Sequence, residues 1–281
     1  MHNGTAAFLY ISPSGSTRKA GREVCSFLET RGYEVAEFDI ARYRGREQEI
    51  YRGINESSLL LVGSPVYADH AAYPVMSLLE SIPRGEGKPA LAYTTYGEVS
   101  SGSSVYQLFK ALDGKGYRVL GLAEVLAVHS MMFRVGRPAG KGRPNEEDFE
   151  VLRRWVEELA HGLERDDVAG IDASRIRPGR FDRMLDAVVF NPGFMHHFWP
   201  RIRFSPERCD SCGACQKKCP VGRLDDLPRI DGGTDCLYCY QCVRSCPQGA
   251  FDAPMWIAHP VIRMFSKALG MREKHATRTY A

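Results

Sequence analysis

From Thr5 to about residue 165, short apolar runs alternate with stretches whose apolar positions recur every three or four residues. Ala6–Ile11 reads as a strand. A helix follows with Ala20, Val24, Phe27 and Leu28 on one stripe, closed by Gly32. Glu34–Phe38 and Leu59–Gly63 are the next two strands, the second continuous and apolar as a strand buried on both faces should be. Pro74 opens a helix striped by Val75, Leu78, Leu79 and Ile82, and Pro89–Thr95 is a fourth strand. Val105, Leu108, Phe109 and Leu112 mark a further helix, and Tyr117–Val128 contains a fifth strand. After a basic, Gly/Pro-rich loop (134–144), Asn145 has the position of an N-cap, with Glu146, Glu147 and Asp148 in the first turn. Phe149, Leu152, Val156, Leu159 and Leu163 stripe that helix. Strands and helices in strict alternation predict an α/β domain over 1–165, a doubly wound, five-stranded parallel sheet with helices on both faces.

The pattern changes at residue 166. Residues 166–203 read as a bridging segment with one short helix (Phe181, Met184, Leu185, Val188), a breaker at Asn191-Pro192-Gly193 and the aromatic stretch Phe194–Trp199. Residues 204–254 form a cysteine-rich unit. Residues 255–281 hold a last helix striped by Val261, Met264, Phe265 and Leu269, then a charged tail. Trp256, Ile257 and Phe265 would suit a membrane or partner surface, but packing against the bridge is the expected outcome.

At 281 residues the chain is long enough for two domains. The net charge of +3 argues against a nucleic-acid binder. The N-terminus lacks the basic n-region of a signal peptide. No window approaches the roughly 18 apolar residues of a transmembrane span. The expected location is the cytoplasm.

Eight of the nine cysteines lie between Cys209 and Cys246. Cys209-x2-Cys212-x2-Cys215-x3-Cys219-Pro220 recurs as Cys236-x2-Cys239-x2-Cys242-x3-Cys246-Pro247. Three cysteines at this spacing wrap a loop around one cubane cluster, and the proline turns the fourth sulfur elsewhere. A zinc site would use two CxxC pairs and leave the third cysteine of each run without a task. Cys25, on the apolar side of the first helix, reads as an inert buried thiol. The segment resembles bacterial-type two-cluster ferredoxins, a small α+β domain over 204–254. In that family the fourth cysteine of each run ligates the other cluster. The resemblance therefore implies two 4Fe–4S clusters, one held by Cys209, Cys212, Cys215 and Cys246, the other by Cys236, Cys239, Cys242 and Cys219. Gly213, Ala214 and Gly249 suit a backbone that approaches sulfide closely. Arg201, Arg203, Arg208, Lys217, Lys218, Arg223 and Arg244 leave the segment less acidic than many free ferredoxins; such charge can orient an acidic redox partner, though a solvated face is its usual explanation.

The first strand ends in Ser12-Pro13-Ser14-Gly15-Ser16-Thr17, immediately before a helix. Hydroxyls, a glycine and exposed N–H groups at a helix N-terminus make an anion site, here for one phosphate monoester. Neither a P-loop lysine nor a GxGxxG is present. At this point the chain resembles the flavodoxin-like family over about residues 5–165. Gly63-Ser64-Pro65-Val66-Tyr67-Ala68 and Thr94-Thr95-Tyr96-Gly97 look like its two isoalloxazine-contacting loops, both at carboxyl ends of strands. The resemblance implies FMN held by Ser12, Ser14, Gly15, Ser16 and Thr17, by Pro65, Val66, Tyr67 and Ala68, and by Thr95, Tyr96, Gly97 and Gly102. Ser16 replaces an asparagine common in the family's phosphate loop, and Glu98–Ser104 is longer than a tight flavin loop needs. The order of the two units resembles the fused flavodoxin–ferredoxin proteins of anaerobes known as EFR-type.

The reading this supports is an electron-transfer iron–sulfur flavoprotein that couples one-electron carriers to a two-electron donor or acceptor, with redox partner proteins of unknown identity. A second reading is an FMN-dependent reductase of a small-molecule acceptor, with His129, Tyr96 or Tyr106 as proton donor. A third is a cluster-bearing sensor or binding module without flavin. His70 and His196-His197 receive no role.

Overall fold

A computed structural model of the chain describes residues 4–163, 170–179, 184, 199–224, 236–270 and 275–281. Five parallel strands, β1 (Thr5–Tyr10), β2 (Glu34–Asp39), β3 (Leu59–Tyr67), β5 (Pro89–Tyr96) and β6 (Arg118–Leu126), lie side by side in the order β2-β1-β3-β5-β6. Counted among themselves these strands run 2-1-3-4-5, the flavodoxin-like winding, whose ligand crevice opens at the carboxyl edge between the first and third strands. Leu59–Leu61 and Leu91–Tyr93 are fully buried, as strands covered on both faces must be.

Helices α1 (Ser16–Thr30) and α5 (Glu146–Leu163) pack on each other on one face of the sheet. Helices α2 (Glu47–Glu56), α3 (Tyr73–Ser81) and α4 (Ser104–Gly114) cover the other. The α5 start is capped reciprocally: Asp148 N–H donates to Asn145 Oδ1 at 3.4 Å, and Asn145 N–H donates to Asp148 Oδ2 at 2.8 Å. Helix α2 escapes the periodicity argument because only Ile50 and Ile54 are buried on an otherwise polar segment.

Two additions complete the sheet. β4 (His70–Ala71) folds back on the end of β3, pairing Val66 with Ala71 and Tyr67 with His70. β9 (Arg278–Tyr280) returns from the C-terminal tail to pair antiparallel with β6, Glu124 facing Arg278 and Leu122 facing Tyr280. The expected free tail is thus an edge strand. Tyr280 Oη donates to Glu124 Oε2 at 3.1 Å, and Trp155 Nε1 donates to the Tyr280 carbonyl at 3.2 Å.

The cysteine-rich unit joins β7 (Arg203–Phe204) and β8 (Phe251–Asp252) as an antiparallel pair around two short helices, α6 (Ala214–Lys218) and α7 (Gln241–Ser245). Its core of Tyr240, Val243, Phe251 and Met255 is continuous with Met131 and Met132, which follow β6. Helix α8 (Ala258–Gly270) closes that core with Ala258 and Ile262. The helix expected over Phe181–Val188 lies, apart from Met184, outside the described residues, as do Asn191–Gly193 and His196-His197.

Candidate functional site

The loop after β1 turns into α1 through Gly15, whose φ of +87° suits glycine alone without strain. Its side-chain atoms divide into two groups. Ser12 Oγ accepts from Arg18 N–H at 2.9 Å, and Thr17 Oγ1 shares a hydrogen bond with Thr95 Oγ1 at 2.7 Å. These two hold the loop to its own helix and to the end of β5. Tyr93 reinforces the anchor, its buried hydroxyl donating to the Thr17 carbonyl at 2.7 Å. Ser14 and Ser16 are spared that task and line a small cleft along the carboxyl edge of the sheet. The guanidinium of Arg18 is turned to Glu37 at 2.6 Å, and Lys19 donates to the Pro144 carbonyl at 3.1 Å. What remains at the helix N-terminus is a neutral anion cradle.

The cleft continues past Pro65, Val66, Tyr67, Thr95, Tyr96 and Gly97 to Val128, His129 and Ser130. There it meets a larger, mostly apolar cavity of about 370 Å³. Val66–Asp69, Gly97, Val99 and His129–Met131 form its floor, and Trp199, Ile257 and, from α8, Ala258, Val261, Ile262 and Phe265 its wall. The floor loops are rigid for identifiable reasons. Ser64 Oγ accepts from Ala72 N–H at 2.9 Å, and the Asp69 carbonyl accepts from Ser103 N–H at 3.0 Å. Ala68 and Asp69 both sit at positive φ. Gly97 lies directly against His129, where a Cβ would come within 2.7 Å of the His129 Cα.

His129 stands where cleft and cavity join. Burial, and then the neighbouring His259, press its pKa down to about 4, so the imidazole is neutral. Nδ1 accepts from Met131 N–H at 3.3 Å, which leaves the ring proton on Nε2. Tyr96 borders the cleft with its phenol engaged: Oη donates to the Ala276 carbonyl at 2.8 Å and accepts from Ala276 N–H at 3.2 Å. Burial raises its pKa to about 12.

Two expected positions fall elsewhere. Gly102 packs on Asp69 with its N–H donating to Ser100 Oγ at 2.9 Å, so it does not line the cleft. Tyr106 stacks on Phe109 within α4, in the core on the other side, so it borders neither cavity. Within the stretch 98–104, Val99 and Ser100 line the cavity while Gly102 and Ser103 pack against Asp69, and α4 is tied to β4 by Gln107 Nε2–H donating to His70 Nδ1 at 2.6 Å. Val99, Asp69, Ser130 and, from α8, Ala258, Val261, Ile262 and Phe265 line the cavity without having been expected there from sequence.

The eight cysteines of the C-terminal unit form two neighbourhoods. The Cys215 thiol is pushed up by burial and then by Cys246 and Cys209. Burial likewise raises Cys239, whose thiol neighbours are Cys236, Cys242 and Cys219. Cys242, pushed up to about 12 by burial, has Cys236 and Cys219 beside it, and Cys215 of the first run as well. Cys219 therefore stands with the first three cysteines of the second run, and Cys246 with Cys209 and Cys215 of the first. Residues 201–247 match the 4Fe-4S dicluster domain family.

Within the dicluster domain the two cysteine neighbourhoods differ in depth. Cys212 is exposed at the surface, whereas Leu237 and Cys239 belong to the same buried cluster as the core of the parallel sheet. Tyr67, on the cavity floor, has Cys239 and Cys236 among the groups that raise its pKa, after burial. Gln241, one residue before Cys242, donates from Nε2 to the Pro13 carbonyl in the phosphate-type loop. The second cysteine run thus lies toward the crevice, whereas in the first Cys212 is at the surface and Cys215 is buried in the unit's own core. Cys25 is buried in the sheet core, its thiol pushed up to about 12 by burial, as expected of an inert position.

No curated protein matches the chain in sequence. Among solved structures, the N-terminal part is similar to rubredoxin oxygen:oxidoreductase of Desulfovibrio gigas at 23% identity and a TM-score of 0.47, covering 57% of this chain and 36% of that one. A flavodoxin from the domain Archaea is similar at 19% identity and a TM-score of 0.43, covering 57% and 99%. An apo NADH:FMN oxidoreductase is similar at 16% identity and a TM-score of 0.45, covering 57% and 89%.

Proposed function

We propose that this chain is an iron–sulfur flavoprotein that relays electrons between two 4Fe–4S clusters and FMN. Its working units are 1–165 for the flavin, 204–254 for the clusters, 166–203 as the bridge between them and 255–281 as the closing helix and tail. When bound, the clusters exchange single electrons and FMN holds one or two, which is the chemistry the protein serves.

The observation that carries this reading is the position of the second cysteine run toward the crevice, through Tyr67, Cys239 and the Gln241–Pro13 contact. The donor set fits the flavin. A neutral cradle of Ser14, Ser16 and helix N–H groups suits a phosphate, and the cleft leads from it to an apolar cavity floored by Tyr67 and Gly97. Cys236, Cys239, Cys242 and Cys219 would hold the inner cluster. Cys209, Cys212, Cys215 and Cys246 would hold the outer one, at the surface where a partner protein docks. His129 presents an N–H at Nε2 where cleft meets cavity, which supports a hydrogen bond to the flavin ring. The cavity is at the small end of ligand pockets, which run from about 300 to 1,000 Å³. One ring system fits within it, which supports relay rather than reduction of a second molecule beside the flavin.

The test is the iron, sulfide and FMN content of anaerobically purified protein, with visible spectra before and after dithionite. About eight irons with one FMN per chain support the relay. Eight irons without flavin, even after incubation with FMN, leave a cluster-bearing sensor or binding module instead.

A further inference from the structure

The last helix is more apolar than its packing requires. At about 100° per residue, Met264, Val261, Phe265, Leu269 and Ile262 fall in that order on one arc of α8 about 160° wide. Half of that arc is used, since Ala258 and Ile262 are buried against the dicluster domain. The other half faces out: Val261 is 48% exposed and Met264 60%, with Trp256 at 73% and Ile257 at 45% just before the helix. Soluble surfaces scatter such residues singly, and four exposed large apolar side chains between Trp256 and Met264 mark a contact surface.

Charge selects the occupant. Arg263 and Lys267 are exposed and lie on the sector next to this row, and no Asp or Glu occurs from Ala253 to Gly270. A two-fold pairing with a second copy would set these cations against each other with no local carboxylate to receive them. An anionic lipid surface satisfies both features, taking the apolar row and indole at the acyl boundary and the cations among the headgroups. Among the described residues no helix is long and apolar enough to cross a membrane, so the contact is peripheral. Ile257 and Val261 also line the 370 Å³ cavity, so its mouth opens within the same apolar row.

We infer that Trp256, Ile257, Val261 and Met264, flanked by Arg263 and Lys267, dock this protein peripherally on an anionic membrane surface. The cavity then opens toward lipid rather than bulk water. The inference does not depend on the flavin reading, since vesicle binding is measured without reference to the flavin.

The experiment is co-sedimentation of the full chain, with its cofactors as purified, with phosphatidylglycerol-containing vesicles and with pure phosphatidylcholine vesicles. Binding to the anionic vesicles that weakens with salt is expected. The W256S/M264E variant should bind at least about tenfold more weakly. R263E/K267E, which leaves the apolar row intact, should lose about fivefold per residue. Unchanged iron content and spectra exclude misfolding as the cause. Absence of anionic-vesicle binding, or binding indifferent to both variants, overturns the inference. So does a concentration-dependent dimer in light scattering that W256S/M264E abolishes, which would assign the row to a second copy.

Discussion

The side-chain amide of Gln241 donates a hydrogen bond to the carbonyl oxygen of Pro13, joining the helix that follows Cys239 to the loop that opens α1. Two units far apart in sequence meet at the one loop suited to a phosphate. In the proposed relay, a contact of this kind would set how far the inner cluster stands from the flavin and hold the loop in its binding shape. Replacing Gln241 with Leu should weaken FMN binding about two- to tenfold, the worth of one neutral hydrogen bond. Flavin fluorescence titration of the flavin-depleted protein reads this, and iron content should not change.

The cradle at Ser14 and Ser16 is neutral, with Arg18 turned away to Glu37. A carboxylate introduced there meets the phosphate directly. Ser14→Asp should lower FMN affinity by about a hundredfold or more, from like-charge repulsion at close range. Riboflavin, which lacks the phosphate, should bind the variant and the parent within a few-fold of each other.

Cys246 stands with Cys209 and Cys215, and Cys219 with Cys236, Cys239 and Cys242. Cys246→Ser and Cys209→Ser should therefore damage the same, outer cluster, and their electron paramagnetic resonance spectra should match. Cys219→Ser should instead match Cys236→Ser. A loss of about four irons from each variant is the expected count. Matching spectra for Cys219→Ser and Cys209→Ser would mean that each run serves its own cluster.

His129 is held neutral, with its pKa pressed down to about 4. Between about pH 6.5 and 4 the unfolded chain takes up a proton there that the folded chain refuses. Stability contributed at this position is present above that window and declines as the pH falls through it. His129→Gln should flatten the acid dependence of the melting temperature in that range. An unaltered profile would show that the proton is taken up elsewhere.

β9 closes the β6 edge and brings Tyr280 to Glu124, which is 7% exposed. Removing Arg278–Ala281 should uncover that edge and strip Glu124 of one hydrogen bond. A cost of about 2–4 kcal/mol is expected from the lost pairing, the Tyr280 packing and the exposed acid. Thermal melts followed by far-UV circular dichroism measure it.

The parallel sheet was legible because its central strands are locally apolar and most of its helices locally periodic, as Leu59–Leu61 and the Val75/Leu78/Leu79 stripe show; α2, with only Ile50 and Ile54 buried, was not. The cysteine runs were legible because cluster chemistry needs a fixed spacing. β9 was not, since three residues, Arg278-Thr279-Tyr280, carry no periodicity and are specified by their partners on β6. Nor was the cavity wall, because α8 reaches the crevice only through long-range packing. Tyr106 misled because its proximity in sequence to the second flavin-type loop does not survive the turn into α4. The last helix was expected to pack against the bridge, most of which lies outside the described residues; of the bridge, Trp199 shares the cavity wall with Ile257 and Val261.

The proposed relay passes electrons between flavin and clusters inside one chain. Flash photoreduction of the flavin in the anaerobic, oxidised protein tests it, following flavin and cluster absorbance together. Transfer within the chain should reoxidise the flavin as the clusters bleach, at a rate independent of protein concentration. A rate proportional to protein concentration, or a reduced flavin beside unchanged clusters, would contradict it.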